Sequence, residues 1–277
     1  MSGVSSLDFP IGDGAAPIFV AGPCLMEDAG MLLETARFLA GLGLPLIFKA
    51  SFDKANRSSL RGHRGPGLAA GLKMLADVRT ATGLPVLTDV HAVEQCGPAG
   101  EVADILQIPA FLCRQTDLVQ AAAATGRPLN LKRGQFLDPR RMGLLVEKAR
   151  AAGPGPFFVT ERGTSFGHGD LVLDPRALVW MRESGAAVLY DCTHTLQQPA
   201  GDGDQTGGLR ALCLPLARAA AAVGVDGFYA EVHPEPARAL SDASTQLDFA
   251  TFARLVREVR SVDAGRRAAQ AVERHPG

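Results

Sequence analysis

Polar and charged side chains recur in this 277-residue sequence at the ends of short apolar runs. Each of these runs is followed by groups that can bind anions, move protons or ligate metals. In chain order the groups are Cys24 and Glu27; the segment from Lys49 to Ser59; Asp89 and His91; Gln107 and Arg114; the segment from Lys132 to Gln135; Glu161 and Arg162; the segment from Asp191 to His194; and Glu231 and His233. Because a buried charge is costly unless it is paired or used, this repetition predicts one functional site.

The largest chemical class among these groups is cationic. Its members are Lys49, Lys54, Arg57, Arg114, Lys132 and Arg162, with Asn56, Ser58 and Ser59 as neutral donors. Arginine binds phosphate and carboxylate through two parallel hydrogen bonds, and lysine acts as a point charge. Since cations in one pocket repel one another, the set predicts ligands with several negative charges. We expect some of the cations to pair instead with Asp53, Asp89, Glu161 and Asp191.

A second class of groups could hold a metal ion. Cys24, His194, Glu231 and Asp242 follow the first, seventh and eighth apolar runs. A mixed set of sulfur, nitrogen and oxygen ligands suits Zn²⁺, Fe²⁺ or Mn²⁺. On residue type alone Cys24 is more often a buried apolar thiol than a metal ligand, and His233 competes with His194 as the imidazole ligand.

The apolar runs themselves predict parallel strands. They are mostly continuous rather than alternating, and they begin about 30 residues apart, which is the length of a βα unit. The predicted strands are Ile18–Leu25, Leu46–Phe52, Pro85–Val90, Ile105–Phe111, Pro128–Arg133, Phe157–Gly163, Ala187–Thr193 and Gly227–His233. This rhythm predicts an α/β fold, a (β/α)₈ TIM barrel, whose strand ends converge on one mouth. A doubly wound sheet is the alternative, but no dinucleotide fingerprint follows the first strand.

Helical patterns lie between the strands. They cover Ala29–Leu42, Gly67–Thr82, Asp174–Glu183, Leu209–Val223 and Phe249–Arg260. No shift in composition marks a second domain, so we expect one barrel domain over residues 1–277, with an N-terminal extension at 1–17 and a helical tail at about 261–277 that frays after Ala264. The glycine-rich run at 201–208 predicts either a mobile active-site loop or a plain surface turn.

Composition excludes several functional classes. The 28 Lys and Arg residues nearly balance the 29 Asp and Glu residues, for a net charge of −1, so nothing draws the chain to nucleic acid or to an anionic membrane. The 5 cysteines contain no CxxC pair, which argues against a disulfide framework and a zinc ribbon. The start of the chain lacks the basic residues of a secretory signal. We therefore expect a cytoplasmic protein.

Several long stretches resemble those of a known enzyme family, the metal-dependent 3-deoxy-D-manno-octulosonate 8-phosphate synthases. The resemblance extends from about residue 18 to 260 and includes AGPCLMED (21–28), FKASFDKANRSS (48–59), TDVH (88–91), ADILQIPAFLCRQTDL (103–118), TERGTSFG (160–167), YDCTHTLQQPAG (190–201) and AEVHPEPARALSDASTQL (230–247). It implies a (β/α)₈ barrel that condenses phosphoenolpyruvate with arabinose 5-phosphate and releases phosphate. This is an early step toward the lipopolysaccharide inner core.

The resemblance also implies residue roles. Phosphoenolpyruvate would be held by Lys49, Lys54, Gln107, Lys132 and Arg162. The pentose phosphate would be held by Asn56, Arg57 and Ser58, and by Arg114 of a neighbouring subunit, since family members are usually tetramers. The catalytic groups would be His194, Lys132 and Asp89, and the metal ligands would be Cys24, His194, Glu231 and Asp242. Arg133 departs from the family pattern, in which a second lysine is frequent.

Three other functions stay open on the sequence. The nearest is 3-deoxy-7-phosphoheptulonate synthase, which uses erythrose 4-phosphate in the same barrel and typically carries KPRT where this chain has Lys54-Ala55-Asn56-Arg57-Ser58. A metal-dependent aldolase would cleave a sugar phosphate and release no phosphate. A non-enzymatic sugar-phosphate-binding barrel is expected to lack Lys132, Arg162 or His194, and all three are present.

Overall fold

Eight parallel strands close into a barrel, as the sequence predicts. The computed structural model describes residue 7 and residues 9–12, 14–56, 62–199 and 207–274. The strands are β1 (Ile18–Gly22), β2 (Leu46–Lys49), β3 (Val86–Asp89), β4 (Ile105–Ile108), β5 (Leu129–Lys132), β6 (Phe157–Glu161), β7 (Ala187–Asp191) and β8 (Gly227–Glu231). Each pairs with its neighbour in sequence, and β1 closes the ring against β8 from Ile18 opposite Gly227 to Gly22 opposite Glu231. The fold is therefore a (β/α)₈ TIM barrel.

Each strand ends one to three residues earlier than the apolar pattern predicts. The residues beyond these ends leave the ladder and form the loops of the mouth. After β4, for example, Pro109 precedes a short 3₁₀ turn at Ala110–Leu112. The polar residues that follow the strands thus lie on loops and at the last ladder positions, where side chains can face a ligand.

Helices connect the strands on the outside of the barrel. They are α1 (Ala29–Gly41), α2 (Leu68–Thr82), α3 (Val93–Val102), α4 (Thr116–Ala124), α5 (Met142–Arg150), α6 (Pro175–Arg182), α7 (Cys213–Val223) and α8 (Phe249–Arg274). The predicted helix start at Asp174 is confirmed, because its side chain accepts a hydrogen bond from the backbone N–H of Arg176. Asp28 caps α1 in the same way through the N–H of Met31. No described helix combines the length and the apolar character that a bilayer crossing needs.

Three of the helices, α3, α4 and α5, were not predicted from the sequence. Gly97, Pro98 and Gly100 lie inside α3 and weaken its helical pattern, and Gly100 packs closely against Thr125. The last helix continues past Arg260 to Arg274, through the segment predicted as a helical tail, and Asp263 pairs there with Arg266. In the glycine-rich run, residues 201–206 lie outside the described part of the chain, and Gly207–Gly208 pair with Gln197–Gln198.

An apolar plug fills the lower half of the barrel interior. It consists of Ile18, Val20, Ile47, Leu87, Ile105, Phe158, Leu189 and Tyr229, and Leu7, Phe9 and Ile11 pack beneath it. A larger core lies between the strands and the helices and includes Phe19, Phe48 and Phe252. The interior is therefore a packed core below the C-terminal mouth, where the polar strand ends lie.

Gly22, the last residue of β1, sits where β1 and β2 approach each other most closely. Its φ is +153°, and a Cβ atom built there would lie 2.0 Å from the carbonyl oxygen of Lys49. A side chain at position 22 would therefore push apart the two strands that carry Cys24 and Lys49 to the mouth.

We predict that Gly22→Ala lowers the free energy of unfolding by at least about 3 kcal/mol, because a methyl group would overlap backbone atoms that cannot move aside. Gly265→Ala on α8 is the control, since nothing lies within 4 Å of a Cβ atom there, and it should stabilise the protein by about 0.5–1 kcal/mol. Urea unfolding followed by circular dichroism measures both. Wild-type stability of Gly22→Ala would show that this close approach is not a constraint.

Candidate active site at the mouth of the barrel

Alternation along the strands carries the site residues into the barrel interior. Side chains on a strand point to opposite faces in turn, so residues two positions apart share a face. In five strands a plug residue is followed two positions later by a polar residue at the mouth. The pairs are Ile47 and Lys49, Leu87 and Asp89, Ile105 and Gln107, Leu189 and Asp191, and Tyr229 and Glu231. The strand pattern that builds the core therefore also aims the polar groups.

One cavity at the mouth brings most of the predicted site residues together. Its walls include Lys49, Lys54, Asn56, Asp89, Gln107, Lys132, Arg162, His194 and Glu231, and also His91 and Tyr229. All five residues predicted to hold phosphoenolpyruvate are among them. Arg114 is exposed and does not line the cavity. Arg57 and Ser58 lie outside the described residues.

Lys49 and Lys54 share the buried carboxylate of Glu231. The Lys49 Nζ lies 3.2 Å from Glu231 Oε1, and the Lys54 Nζ lies 3.9 Å from the same atom. Burial alone would lower the pKa of the Lys49 ammonium, but Glu231 and Asp89 raise it above its ordinary value. In turn, burial raises the pKa of Glu231, and His194 and the lysines outweigh that effect and hold it at about 2. Lys49, Lys54 and Glu231 are therefore ionised at neutral pH.

Lys132 and His194 meet on a second buried carboxylate, Asp191. The Lys132 Nζ donates to Asp191 Oδ2 at 2.5 Å, and the His194 Nδ1 lies 2.8 Å from the same oxygen. Burial lowers the pKa of Lys132 despite the attraction of Asp191. Although burial opposes it, His194 and Lys132 hold the pKa of Asp191 well below its usual range. Lys132 thus holds its proton less tightly than usual, in contrast to Lys49.

An aromatic ring supports these cations from below. The Tyr229 ring lies 3.8 Å from the Lys132 Nζ and 5.9 Å from the Lys49 Nζ, measured to the ring centroid. A π face attracts an ammonium group, more strongly where water is excluded. Tyr229 therefore stabilises Lys132 at the point where the apolar plug ends.

Two further anion-binding groups are held by neutral partners. Arg162 donates from Nη2 to Gln197 Oε1 at 2.7 Å, which leaves its guanidinium charge uncompensated by that contact. Gln107 accepts at Oε1 from Asn130 Nδ2 at 2.9 Å, and Asn130 accepts from Thr160. Because the carbonyl of Gln107 is occupied, its NH₂ group remains available as a donor.

The predicted pairing of cations with carboxylates is confirmed in part. Of the predicted cations, Lys132 pairs with Asp191. Asp53 pairs instead with Arg64, and the Nε2 of His91 lies 3.0 Å from Asp89, so two of the predicted carboxylates have partners outside the predicted cation set. Burial raises the pKa of Asp89, and the hydrogen bond and charge of His91 outweigh it and lower the pKa. Of the predicted cations, Arg162 keeps a neutral partner and Arg114 faces outward.

A potential metal site adjoins the cavity. Cys24, Glu231 and Asp242 offer ligand atoms that all lie within 4.8 Å of one another. The His194 Nε2 lies 3.5 Å from Glu231 Oε1 and 3.8 Å from Asp242 Oδ2, while its Nδ1 is held by Asp191, an arrangement common for histidine ligands. His233 is not a member of this described group, and its Nε2 lies 3.7 Å from Glu27.

The charge of this group fits a cation. Burial, Asp242 and Glu231 raise the pKa of the Cys24 thiol well above its usual value, so the thiolate needs a positive charge beside it. The Glu231 Oε2 is buried and has no hydrogen-bond partner among the described residues. A divalent ion would satisfy this oxygen and deprotonate the thiol. The residues therefore fit a metal of the Zn²⁺, Fe²⁺ or Mn²⁺ type.

Sequence reasoning missed several residues that build the site. Tyr229 was not recognised as a residue of the site, because a tyrosine within an apolar strand is typical of an ordinary core residue. Asp191 was treated only as an ion-pair partner, although it orders Lys132 and His194 and also accepts from the backbone N–H of Thr193. Arg133 is completely buried and forms a two-point pair with Glu161. These roles depend on contacts between strands, which spacing along the chain does not reveal.

Comparisons with known proteins agree with this arrangement. Residues 3–264 match the family model described as the DAHP synthetase I family. The protein called 2-dehydro-3-deoxyphosphooctonate aldolase from Syntrophotalea carbinolica is 48% identical over 261 residues, 93% of this chain and 94% of its own. Those of Rhodopseudomonas palustris and Nitrobacter winogradskyi, which carry the same name, are 50% and 51% identical over 266 and 255 residues. These two alignments cover 94% and 90% of this chain, and 93% and 89% of the respective relatives.

A family model that spans nearly the whole chain and relatives at this identity confirm the resemblance found in the sequence motifs. The chain therefore belongs to the DAHP synthetase I family and, within it, to the 3-deoxy-D-manno-octulosonate 8-phosphate synthases, which are also named 2-dehydro-3-deoxyphosphooctonate aldolases.

Proposed function

We propose that this protein condenses phosphoenolpyruvate with D-arabinose 5-phosphate and water to give 3-deoxy-D-manno-octulosonate 8-phosphate and phosphate, a step of Kdo biosynthesis. The observation that carries the proposal is the convergence of Lys49, Lys54, Gln107, Lys132 and Arg162 on one buried cavity. The names of the relatives favour this reaction over the condensation with erythrose 4-phosphate.

The charge of the cavity supports phosphoenolpyruvate as a ligand. Four cationic side chains line it, together with the carboxylates of Asp89 and Glu231. The cations therefore outnumber the acids of the wall, and a ligand with a phosphate and a carboxylate would restore the balance. Arg162, whose partner is neutral, and the NH₂ group of Gln107 are donors that such a ligand can engage without displacing a carboxylate.

The reaction joins C3 of phosphoenolpyruvate to the aldehyde carbon of the pentose and adds water at C2. The bond between C2 and the phosphate oxygen then breaks as the C2 hydroxyl becomes a carbonyl. One proton of the attacking water replaces the proton that the former aldehyde oxygen takes up, and the second leaves with the phosphate. Lys132 Nζ and His194 Nδ1 lie 3.4 Å apart and share Asp191, so they are placed to exchange a proton. Asp89, held by His91, is placed to accept hydrogen bonds from pentose hydroxyls.

We also propose that the protein is of the metal-dependent class. Cys24, His194, Glu231 and Asp242 would hold the ion, and the donor set and the unpartnered Glu231 oxygen support this assignment. A bound divalent ion would polarise an oxygen of the substrate or of water. Lys49 contacts both Glu231 and the backbone carbonyl of Cys24, so the two halves of the site would be held together by this lysine.

We further propose a homotetramer that works in the cytoplasm. Phe111, Phe136 and Phe166 are 49%, 57% and 69% exposed; we call these three residues the aromatic rim patch. They follow β4, β5 and β6, and a hydrogen bond from Ser165 N to Gln135 O joins two of these segments. Exposed aromatic patches mark interaction surfaces, and Arg114 lies on the same segment as Phe111.

The state of the cysteines supports the proposed cytoplasmic location. The five cysteines are free thiols, which suits a reducing compartment.

Phosphate release tests the reaction. With phosphoenolpyruvate and arabinose 5-phosphate the protein should release inorganic phosphate, with a kcat/KM at least about 100-fold above that for erythrose 4-phosphate, because a site built for the pentose leaves polar groups unpaired with the shorter sugar. Equal activity with both sugars would contradict the assignment. Consumption of sugar without phosphate release would instead support an aldolase.

Metal removal tests the ligand set. Cys24→Ser should lower kcat by at least about 100-fold, since loss of a ligand exceeds the 10–100-fold cost of losing an outer contact, and chelator should lower wild-type activity as much. The control is Cys96→Ser on α3, a buried cysteine that does not line the cavity, which should keep wild-type turnover. Full activity of chelator-treated Cys24→Ser would overturn the metal assignment.

The proposed oligomer gives a separate test. Phe166→Glu should reduce the mass measured by analytical ultracentrifugation, because a charge on the aromatic rim patch opposes its burial.

Arg114→Ala should raise the KM for arabinose 5-phosphate by about 10–100-fold, because one charge-assisted hydrogen bond is lost, and it should leave the KM for phosphoenolpyruvate unchanged. Arg260→Ala, an exposed arginine on α8, is the matched control. An unchanged KM in Arg114→Ala would remove this residue from the pentose site.

A further inference from the structure

Gln246 is buried beside the potential metal site and contacts two of the segments that form it. Its side chain is 0% exposed. Its Oε1 accepts from the backbone N–H of Cys24 at 3.1 Å, and its Nε2 donates to the carbonyl oxygen of Ser241 at 2.8 Å. One amide group therefore joins the end of β1 to the residue that precedes Asp242.

The segment that carries Asp242 is shaped for this contact. Asp242 has a positive φ of +48°, and its carbonyl oxygen accepts from the N–H groups of Thr245 and Gln246. This turn brings the side chain of residue 246 back beneath residue 241. Leu247 N donates to Glu231 O at 2.9 Å, so the segment is also attached to the end of β8.

The potential ligands come from three separate parts of the chain. Cys24 follows β1, Glu231 ends β8 and Asp242 lies on the turn. Barrel pairing fixes β1 against β8, but the turn lies outside the barrel ladder. Gln246 supplies the side-chain link between the turn and Cys24, where the Cys24 Sγ lies 3.2 Å from Asp242 Oδ2 and 3.0 Å from Ser241 Oγ.

We propose that Gln246 is a positioning residue that sets the separation between the Cys24 thiol and the Asp242 carboxylate for metal binding. This inference rests on the metal-dependent part of the proposed function. Glutamine suits the role because it offers one acceptor and one donor at the required reach. Asparagine is one methylene shorter and cannot span both partners, and methionine keeps the volume but loses both hydrogen bonds. Metal ions require ligand atoms within a few tenths of an ångström of their ideal positions.

The test uses Co²⁺ as the probe and binding as the readout. Chelator-treated wild type, Gln246→Asn and Gln246→Met are titrated with Co²⁺, and the thiolate-to-cobalt charge-transfer absorption and competition with a chelator give the affinity. We expect 10–100-fold weaker binding in both variants, with a weaker charge-transfer band. Gln120→Met on α4 is the matched control, because Gln120 is exposed and remote from the mouth, and it should bind Co²⁺ as wild type does.

The outcomes separate this inference from the proposed function. Wild-type affinity and absorption in Gln246→Asn and Gln246→Met would overturn the role of Gln246 and leave the metal assignment intact. Absence of a thiolate-to-cobalt band in the wild type would overturn the metal assignment itself. Circular dichroism of the metal-free variants shows whether they are folded. If both variants are unfolded, Gln246 is a structural core residue and the positioning role is overturned. Weak binding by folded variants supports it.

Discussion

The buried carboxylate of Glu231 is the interaction on which the rest of the mouth depends. It is fully buried, contacts Lys49 at 3.2 Å and lies 3.5 Å from His194. A carboxylate in such a place is tolerated only with positive partners, and here the partners come from β2 and from the loop after β7. The same carboxylate offers a ligand atom to the potential metal site. The proposed binding of the anion and of the metal would therefore draw on the same carboxylate, and neither half of the site would be independent of the other.

This dependence explains why the barrel must close with its observed register. Gly22 lies opposite Glu231 in the β1–β8 ladder, and Cys24 follows two residues later. A shift of one residue would turn Glu231 out of the interior, because side chains alternate along a strand. The absence of a side chain at Gly22 lets β2 come close enough to place Lys49 beside Glu231. The geometry of the mouth is thus set by backbone contacts well before any ligand is present.

The barrel and most of the residues that line the cavity could be predicted from the sequence. The strands could be recognised because buried strands are apolar. A charged residue at the end of such an apolar run could then be recognised as a candidate site residue. Tyr229 and Gln246 were not visible, since a ring in a strand and an amide in a loop resemble ordinary core residues until their partners are known. Likewise α3 was hidden by Gly97 and Pro98, which packing against the barrel tolerates although local propensity does not. What escaped prediction is therefore what arises from contacts between distant segments.

The protonation states of the mouth follow from the same network. Burial alone would neutralise lysines and carboxylates alike, but the pKa values of Asp191 and Glu231 stay low because lysine and histidine side chains lie beside each of these carboxylates. Lys132 differs from Lys49, since burial lowers its pKa despite Asp191, whereas the carboxylates around Lys49 raise the pKa of that lysine. A lysine whose proton is held less tightly is suited to transfer it, and one whose proton is held more tightly is suited to bind a permanent anion. The roles proposed for Lys132 and Lys49 would therefore follow from the carboxylates that each lysine faces.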